Sequence, residues 1–533
     1  MATWAKDAVF YQIYPTSFFD ANNDGVGDFK GMEEKLDYVK SLGVDAVWLN
    51  PFYLSPFMDG GYDIEDYYSV DPRFGTMADF ESFMKKATSL GIKVVIDLVI
   101  GHTSLKNKWF LESAKDERNE YSDWYIWTDS NFTKYKDKTI HGLFNRDGGY
   151  MINYYACQPA LNFGWVSTEP ENVDPNDPYN GGEAWKIHYL DERLVPLRME
   201  IIKIMRFWME KGVSGFRVDM ASSLVKGSSY ESEDPELIKG IVWLWNQLIP
   251  AIKKDYPDVF FVAEWVNPRV SVGECGFDSD FILHDTPCYN DLFRNEKGSN
   301  LLRALERGHS YFHKDGKGSV DEFIKEAYHI YEKTDGKGYF TAPSGNHDEV
   351  RIGVNRSQAD LKVVFAFLLT FRHLPFIYYG DELGLTHNFN INKDGGFIRT
   401  GSRTPMQWTN GKNRGFSEFD GELYLPVNDD KDCSVESQEK DEKSLLNTVK
   451  ALLKLRKEYS CLNAENALNV VTTGYPFVYE RTDGEKTVII ALNPSSEFKQ
   501  IDLEYKKVLM SENSDFDGKT VTLKGQSFAI LLK

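Results

Sequence analysis

Gly215-Phe216-Arg217-Val218-Asp219-Met220 is the stretch from which the rest of the chain is read. Before it, residues 197–211 carry Ile201, Ile202, Met205 and Trp208 at helical spacing, and Gly212 stops that pattern. A helical pattern that ends at glycine and passes into Val213-Ser214-Gly215-Phe216 predicts a buried strand with a polar tip. Residues two apart on a strand share a face, so Arg217 can hold the Asp219 carboxylate ionised and fix its direction. A carboxylate nucleophile requires that; a structural ion pair at a strand end is the other reading.

The alternation of strand and helix extends outward from this segment. Short β-branched and aromatic runs at residues 9–14, 44–50, 93–100, 213–218, 259–265, 277–283, 339–343 and 376–379 are separated by helical patterns. Eight such units predict an α/β fold closed into a (β/α)8 TIM barrel rather than an open sheet. Two segments interrupt the pattern. Residues 103–185, between the third and fourth strands, are rich in Asn, Asp, Tyr and Trp and poor in helical periodicity, which predicts an inserted subdomain over the barrel mouth. After a last helical pattern at residues 444–459, alternating strands around the Asp483-Gly484 turn predict an antiparallel β domain. The expected division is a barrel from residues 1–102 and 186–461, a subdomain at 103–185, and a β-sandwich at 462–533.

Composition narrows the class of partner. A formal charge of -20 with no Lys/Arg run would repel nucleic acid and anionic membranes, so neutral or cationic partners are expected. The start of the chain has no apolar leader and no window nears 18 uninterrupted apolar residues, which predicts a cytoplasmic protein with no membrane partner. The five cysteines, Cys157, Cys275, Cys288, Cys433 and Cys461, are odd in number and scattered, the pattern of reduced thiols rather than disulfides or a zinc site.

In such a barrel the chemistry sits at the C-terminal strand ends. The third strand places Asp97 and His102 there, the fourth Arg217 and Asp219, the fifth Glu264, and the segment after the seventh His347 and Asp348. Convergent carboxylates without a Cys/His cluster, in a chain that is 14% aromatic, suit cleavage of a glycosidic bond.

Asp97-Leu-Val-Ile-Gly-His102, Gly215-Phe-Arg-Val-Asp219, Val262-Ala-Glu264 and Asn346-His-Asp348 resemble, in order, the four signature regions of the α-amylase family of glycoside hydrolases. Arg403-Thr-Pro-Met-Gln-Trp408 resembles a motif of its α-glucosidase and oligo-1,6-glucosidase branch. The resemblance implies a double displacement in which Asp219 attacks the anomeric carbon, Glu264 is the acid and then the base, and Asp348 stabilises the oxocarbenium-like transition state. It also implies that Tyr62 stacks beneath the sugar, that His102 and His347 bind sugar hydroxyls, and that Asp97 supports Arg217. Asp63 and Arg403 would pair across the pocket floor to clamp a terminal glucose. Burial at the end of Phe260-Phe261-Val262-Ala263 should raise the Glu264 pKa, whereas Asp219 beside Arg217 should stay charged.

Two positions depart from the family pattern. Gly101 stands where Asn usually helps bind calcium between barrel and insertion, and Gln158-Pro-Ala-Leu-Asn162 has Ala160 where an acid is usual. A different calcium loop is expected at Asp20, Asn22, Asp24 and Asp28 with the Val26 carbonyl and the turn glycine Gly25, although Gly31 stands at the twelfth position instead of Glu. The expected activity is retaining hydrolysis of α-glucosidic bonds in short gluco-oligosaccharides. A glucosyl transferase or isomerase on the same scaffold, or an endo-acting α-amylase, is the alternative. A non-catalytic binding member is disfavoured because Asp219, Glu264 and Asp348 are all present. Met220, after the nucleophile position, leaves α-1,4 against α-1,6 preference open.

Overall fold

The computed structural model describes all residues except 134, 137, 170–182, 228–233, 284–286, 294–309, 429 and 431. Part of the expected insertion therefore lies outside the described residues. Eight parallel strands form one sheet: β1 (Phe10–Ile13), β2 (Ala46–Leu49), β3 (Lys93–Leu98), β4 (Gly215–Val218), β5 (Phe260–Ala263), β6 (Ser279–Phe281), β7 (Tyr339–Thr341) and β8 (Phe376–Tyr378). Each lies inside the run predicted for it. Strands pair in the order β7-β6-β5-β4-β3-β2-β1-β8. Two backbone bonds, Leu374 N–H to Phe340 O and Ser344 N–H to Phe376 O, both 3.0 Å, join the two end strands and close the barrel.

The inside of the barrel explains why its top is chemical and its bottom is not. Alternate residues point inward, and at the lower level these are aromatic: Phe10 stacks on Phe376 at 4.2 Å and on Phe260 at 4.9 Å. Burying each such ring contributes about 1.5–3 kcal/mol. Gly215 sits at this level because a Cβ there would stand 2.4 Å from the Phe260 carbonyl oxygen. The next inward residues up β4 are Arg217 and Asp219, so the alternation that buries apolar side chains below delivers charged ones above. In register, Asp97 pairs with Arg217 and Val218 with Ala263.

Helices cover the outside. The helical pattern that precedes β4 forms α3 (Val195–Glu210), after α1 (Phe29–Leu42) and α2 (Met77–Ser89). On α3, Leu197, Ile201, Met205 and Trp208 are buried, and Gly212 follows at φ +91°. The described part of the insertion contains a short helix, Lys108–Ser113, and a two-stranded hairpin, Thr139–Ile140 with Tyr150–Met151. Its Pro159-Ala160-Leu161 segment runs beside Gly101-His102-Thr103, with Leu161 N–H bonded to Gly101 O and Thr103 N–H to Pro159 O. Ala160 is buried among Ile126, Tyr135, Met151 and Trp165, an apolar cluster in which an acid would be costly.

At the C-terminus, β9 (Ala467–Thr472), β10 (Phe477–Thr482), β11 (Thr487–Asn493), β12 (Lys499–Asp502), β13 (Lys507–Asp517) and β14 (Thr520–Leu532) are antiparallel. They form a single six-stranded sheet where the two sheets of a sandwich were expected. The reason is β14, which pairs with β11, β12 and β13 along its 13 residues and so ties all strands together. All five cysteines are buried and free. Among the described residues no helix is long and apolar enough to cross a membrane.

Candidate active site

Arg217 is the centre of the barrel mouth. It is 2% exposed, and its guanidinium reaches Asp97 Oδ1 at 2.6 Å, Asp219 Oδ1 at 2.9 Å and Glu264 Oε1 at 2.8 Å. Three carboxylates from β3, the end of β4 and the end of β5 thus share one cation. Asp97 also accepts from Trp48 Nε1 at 2.9 Å and from the Tyr62 hydroxyl at 3.3 Å, so it is committed to support and has no exposed surface. Glu264 accepts from the Met220 backbone N–H at 2.9 Å. Met220 holds φ +41°, a conformation unusual for its side chain, at the point where the chain leaves β4 for the cavity.

A cavity of about 470 Å³ opens above this cluster and is lined by Asp219, Glu264, Asp348, Tyr62, His102, Asp59 and Arg399, among others. Tyr62 lies parallel to His347, ring centres 5.1 Å apart, and its hydroxyl accepts from Asn50 Nδ2 at 2.9 Å. His347 Nδ1 faces Gln12 Nε2 and Asn50 Nδ2 at 3.1 and 3.2 Å, so Nδ1 accepts and Nε2, 3.0 Å from Asp348 Oδ2, carries the hydrogen. His102 Nε2 faces Tyr62 O and its Nδ1 faces Asn153 Nδ2, both at 3.1 Å, which fixes the same tautomer.

Burial and shared charge set the protonation of these groups. Burial lowers both histidines to about 4, so they are neutral hydrogen-bonding groups near pH 7. Burial pushes Glu264 up to about 7, against Arg217 and with help from Asp219 and Asp348. Asp219, expected to stay charged beside Arg217, is pushed up to about 7 as well, again by burial first. The physical reason is that a single guanidinium serves Asp97, Asp219 and Glu264 at once, so the pair Asp219/Glu264 titrates jointly and tends to keep one proton near neutrality. Asp348 behaves oppositely. Burial disfavours its charge, but His347, Arg399 and Arg403 outweigh burial and hold it well below the usual carboxylate range.

The pocket floor corrects one expectation. Asp63 and Arg403 do not pair. Asp63 has no exposed surface, and its carboxylate accepts from Met58 N–H at 3.0 Å and from Asp59 N–H and Ser55 Oγ at 3.1 Å, holding the loop that carries Asp59. Arg403 lies beneath the cavity, 2.9 Å from both His347 O and Asp348 Oδ1. The acid and base that close the cavity are Asp59 and Arg399. Arg399 reaches Asp59 Oδ1 at 3.2 Å, Asp348 Oδ1 at 2.8 Å and the Tyr155 hydroxyl at 3.0 Å, while Gln158 Nε2 donates to Asp59 Oδ2 at 2.8 Å. Each sits four residues before the residue that sequence reading chose, and Gly60 and Gly61, at φ +56° and +98°, turn the chain so that Asp59 faces the cavity.

The Gly101 departure also has a structural account. A Cβ on Gly101 would stand 2.7 Å from Asn153 Nδ2, so glycine leaves room for an asparagine from the insertion. Asn153 Oδ1 accepts from Lys226 Nζ at 3.1 Å, and Lys226 also donates to Ser223 O, so a buried lysine ties the insertion to the barrel at this point.

In the 20–28 loop, Asp20 accepts from the N–H groups of Asn23, Asp24 and Gly25, Asp24 from Val26 N–H, and Asp28 from Ala21, Asn22 and Gly31 N–H. Asp28 is thereby also the N-cap of α1. Its donors are the hard oxygens a calcium ion takes, but among the described residues no three acidic, histidine or cysteine side chains converge as a metal-binding group.

Residues 12–465 match the family model described as alpha amylase, catalytic domain. The chain is similar to the oligo-1,6-glucosidase of Parageobacillus thermoglucosidasius, with 30% identity over 96% of this chain and 95% of the relative. It is also similar, at 30% identity over 86% of this chain and 76% of the relative, to the trehalose synthase/amylase TreS of Mycolicibacterium smegmatis. Among solved structures it is similar to the trehalulose synthase MutB of Pseudomonas mesoacidophila MX-45, with a TM-score of 0.80, 26% identity and both chains covered in full.

Proposed function

The chain belongs to the α-amylase family of glycosidases, and we propose that it is a retaining hydrolase removing α-linked glucose from the non-reducing ends of short gluco-oligosaccharides. The observation that carries this reading is the seating of Asp219 and Glu264 on neighbouring nitrogens of Arg217 at one end of a cavity that Asp59 and Arg399 close at the other. Carboxyls held side by side suit the close spacing of about 5–5.5 Å used for covalent catalysis, rather than the wider gap that admits a water between them.

In the first step Asp219 attacks the anomeric carbon as Glu264 gives its proton to the leaving oxygen. In the second, Glu264 takes a proton from water, which displaces Asp219 and returns the original anomeric configuration. Asp348, kept ionised by Arg399, Arg403 and His347, faces the same cavity and stabilises positive charge on the ring. Tyr62 offers its ring to the sugar, while neutral His347 holds Tyr62 and Asp348 in place and neutral His102, bonded to Tyr62 O and Asn153, lines the cavity beside them.

Time-resolved chromatography of maltoheptaose digestion tests this. Glucose is expected from the earliest time points, released as the α-anomer in proton NMR. Early maltotriose and maltotetraose without glucose, or β-glucose as first product, would overturn it.

A second reading, transfer of glucose to a sugar, rests on the names of the relatives, which include a trehalose synthase/amylase and a trehalulose synthase. Both readings share the glucosyl-enzyme and differ in what attacks it. Product analysis at high sucrose or maltose separates them: isomer formation exceeding glucose release would favour transfer.

Calcium in the 20–28 loop is a separable proposal, supported by oxygen donors at alternate positions. Chelation is expected to lower the Tm more than the initial rate at moderate temperature, because an ion there would stabilise the fold away from the chemistry. A Tm indifferent to chelator and to added calcium, with no calcium in elemental analysis, rules it out.

A further inference from the structure

Asp280 lies on β6, outside everything assigned above. Its side chain has no exposed surface, and among the described residues its hydrogen-bond partners include no lysine or arginine. Instead it gathers donors from the turn that follows Glu264. Asp280 Oδ1 accepts from Trp265 N–H at 3.0 Å and Val266 N–H at 3.2 Å, and Oδ2 from Asn267 N–H at 3.0 Å and Ser271 Oγ at 2.7 Å. Ser271 itself closes the short helix Pro268–Ser271 that continues this turn.

The turn needs holding. Val266 is at φ +62°, a backbone conformation that β-branched residues avoid, and both Val266 and Trp265 line the catalytic cavity. The peptide unit joining Glu264 to Trp265 is fixed at both of its polar ends: its oxygen accepts from Ala221 N–H at 3.1 Å, and its N–H donates to Asp280. The peptide on the other side of Glu264 is fixed as well, its N–H donating to Val218 O at 3.0 Å, and two fixed planes set the direction of the Glu264 Cα–Cβ bond. Glu264 is the last residue before the strained turn, so its aim depends on the plane that Asp280 holds.

We propose that Asp280 is a positioning residue: by holding the strained turn after Glu264, it aims that carboxyl at the glycosidic oxygen. The inference rests on the reading of Glu264 as acid/base. A group that acts only by aiming the acid has a distinctive signature, because a substrate whose leaving group departs without a proton does not need the aim.

The experiment compares maltose with 2,4-dinitrophenyl α-glucoside for the wild type, Asp280→Asn and Glu264→Gln. Asp280→Asn keeps the shape but turns an amide toward donors, and is expected to lower kcat/KM for maltose by about 10²-fold while the aryl glucoside loses at most about threefold. Val266→Gly, which relieves the positive φ, is expected to recover part of the maltose activity in the Asp280→Asn background. Equal losses on both substrates, or no loss on maltose, overturn the proposal. If Glu264→Gln itself fails to spare the aryl glucoside, the acid/base reading falls and this inference with it. If Glu264→Gln spares the aryl glucoside and Asp280→Asn does not, only Asp280 is misassigned. Should Asp280→Asn not fold, Ser271→Ala removes one donor to the same carboxylate and is read identically, with a smaller loss confined to maltose expected and an equal loss on both substrates overturning.

Discussion

Asp219→Asn is expected to lower kcat by about 10⁴-fold or more on every α-glucoside, whatever its leaving group, which is about 5 kcal/mol of lost transition-state stabilisation. An amide cannot form the glucosyl ester, and no leaving group compensates for a missing nucleophile. Glu264→Gln should behave differently, costing maltose about 10³-fold and an activated aryl glucoside far less. The pH profiles separate the two roles further. In the proposed mechanism the working form carries a proton on Glu264 and none on Asp219, and burial pushes both toward about 7. Activity should therefore rise as the first proton leaves the pair and fall as the second leaves, giving a bell around neutrality. In Glu264→Gln the second loss has no site, so the alkaline limb should disappear. Near-normal turnover by Asp219→Asn, or an intact alkaline limb in Glu264→Gln, would show that the roles are misassigned.

What the sequence disclosed and what it concealed divide along the range of the interactions involved. Each barrel strand carries its own local signal, a short apolar run bounded by polar residues, so all eight could be placed. Asp219 and Glu264 were legible for the same reason, since a strand end determines where its last side chains point. The Asp219 pKa was not legible, because the Arg217 charge is divided with Asp97 and Glu264 and no pairwise reading of Arg217 with Asp219 contains those partners. The C-terminal strands were legible as strands, but their union in one sheet depends on how far β14 runs. The departures at Gly101 and Ala160 became intelligible only with Asn153 and the apolar cluster of the insertion beside them. Asp280 gave no sequence signal, since three of its four donors are main-chain N–H groups, which any residue can supply.

The floor of the pocket gives the second large expected effect. Arg399→Ala is expected to lower kcat/KM for maltotriose by about 10²-fold, near 3 kcal/mol, and to let internal cleavage products appear from maltoheptaose. The asymmetry of the pair makes this the decisive variant. Without Arg399, Asp59 keeps only Gln158 as a side-chain donor among the described residues, in a site where burial already raises its pKa. Without Asp59, Arg399 still has Asp348 at 2.8 Å, so Asp59→Ala should cost less while opening the same end of the cavity. Arg399→Lys should recover little, because an ammonium cannot present the planar fork that reaches Asp59, Asp348 and Tyr155 together. Arg403→Ala serves as the control. Arg403 is 2% exposed and bound to His347 O, so its removal should weaken the hold on Asp348 and lower kcat without changing where the chain is cut. If Arg403→Ala rather than Arg399→Ala releases internal fragments, the clamp lies where the sequence motif put it, and the Asp59–Arg399 pair does not set the closed end of the pocket.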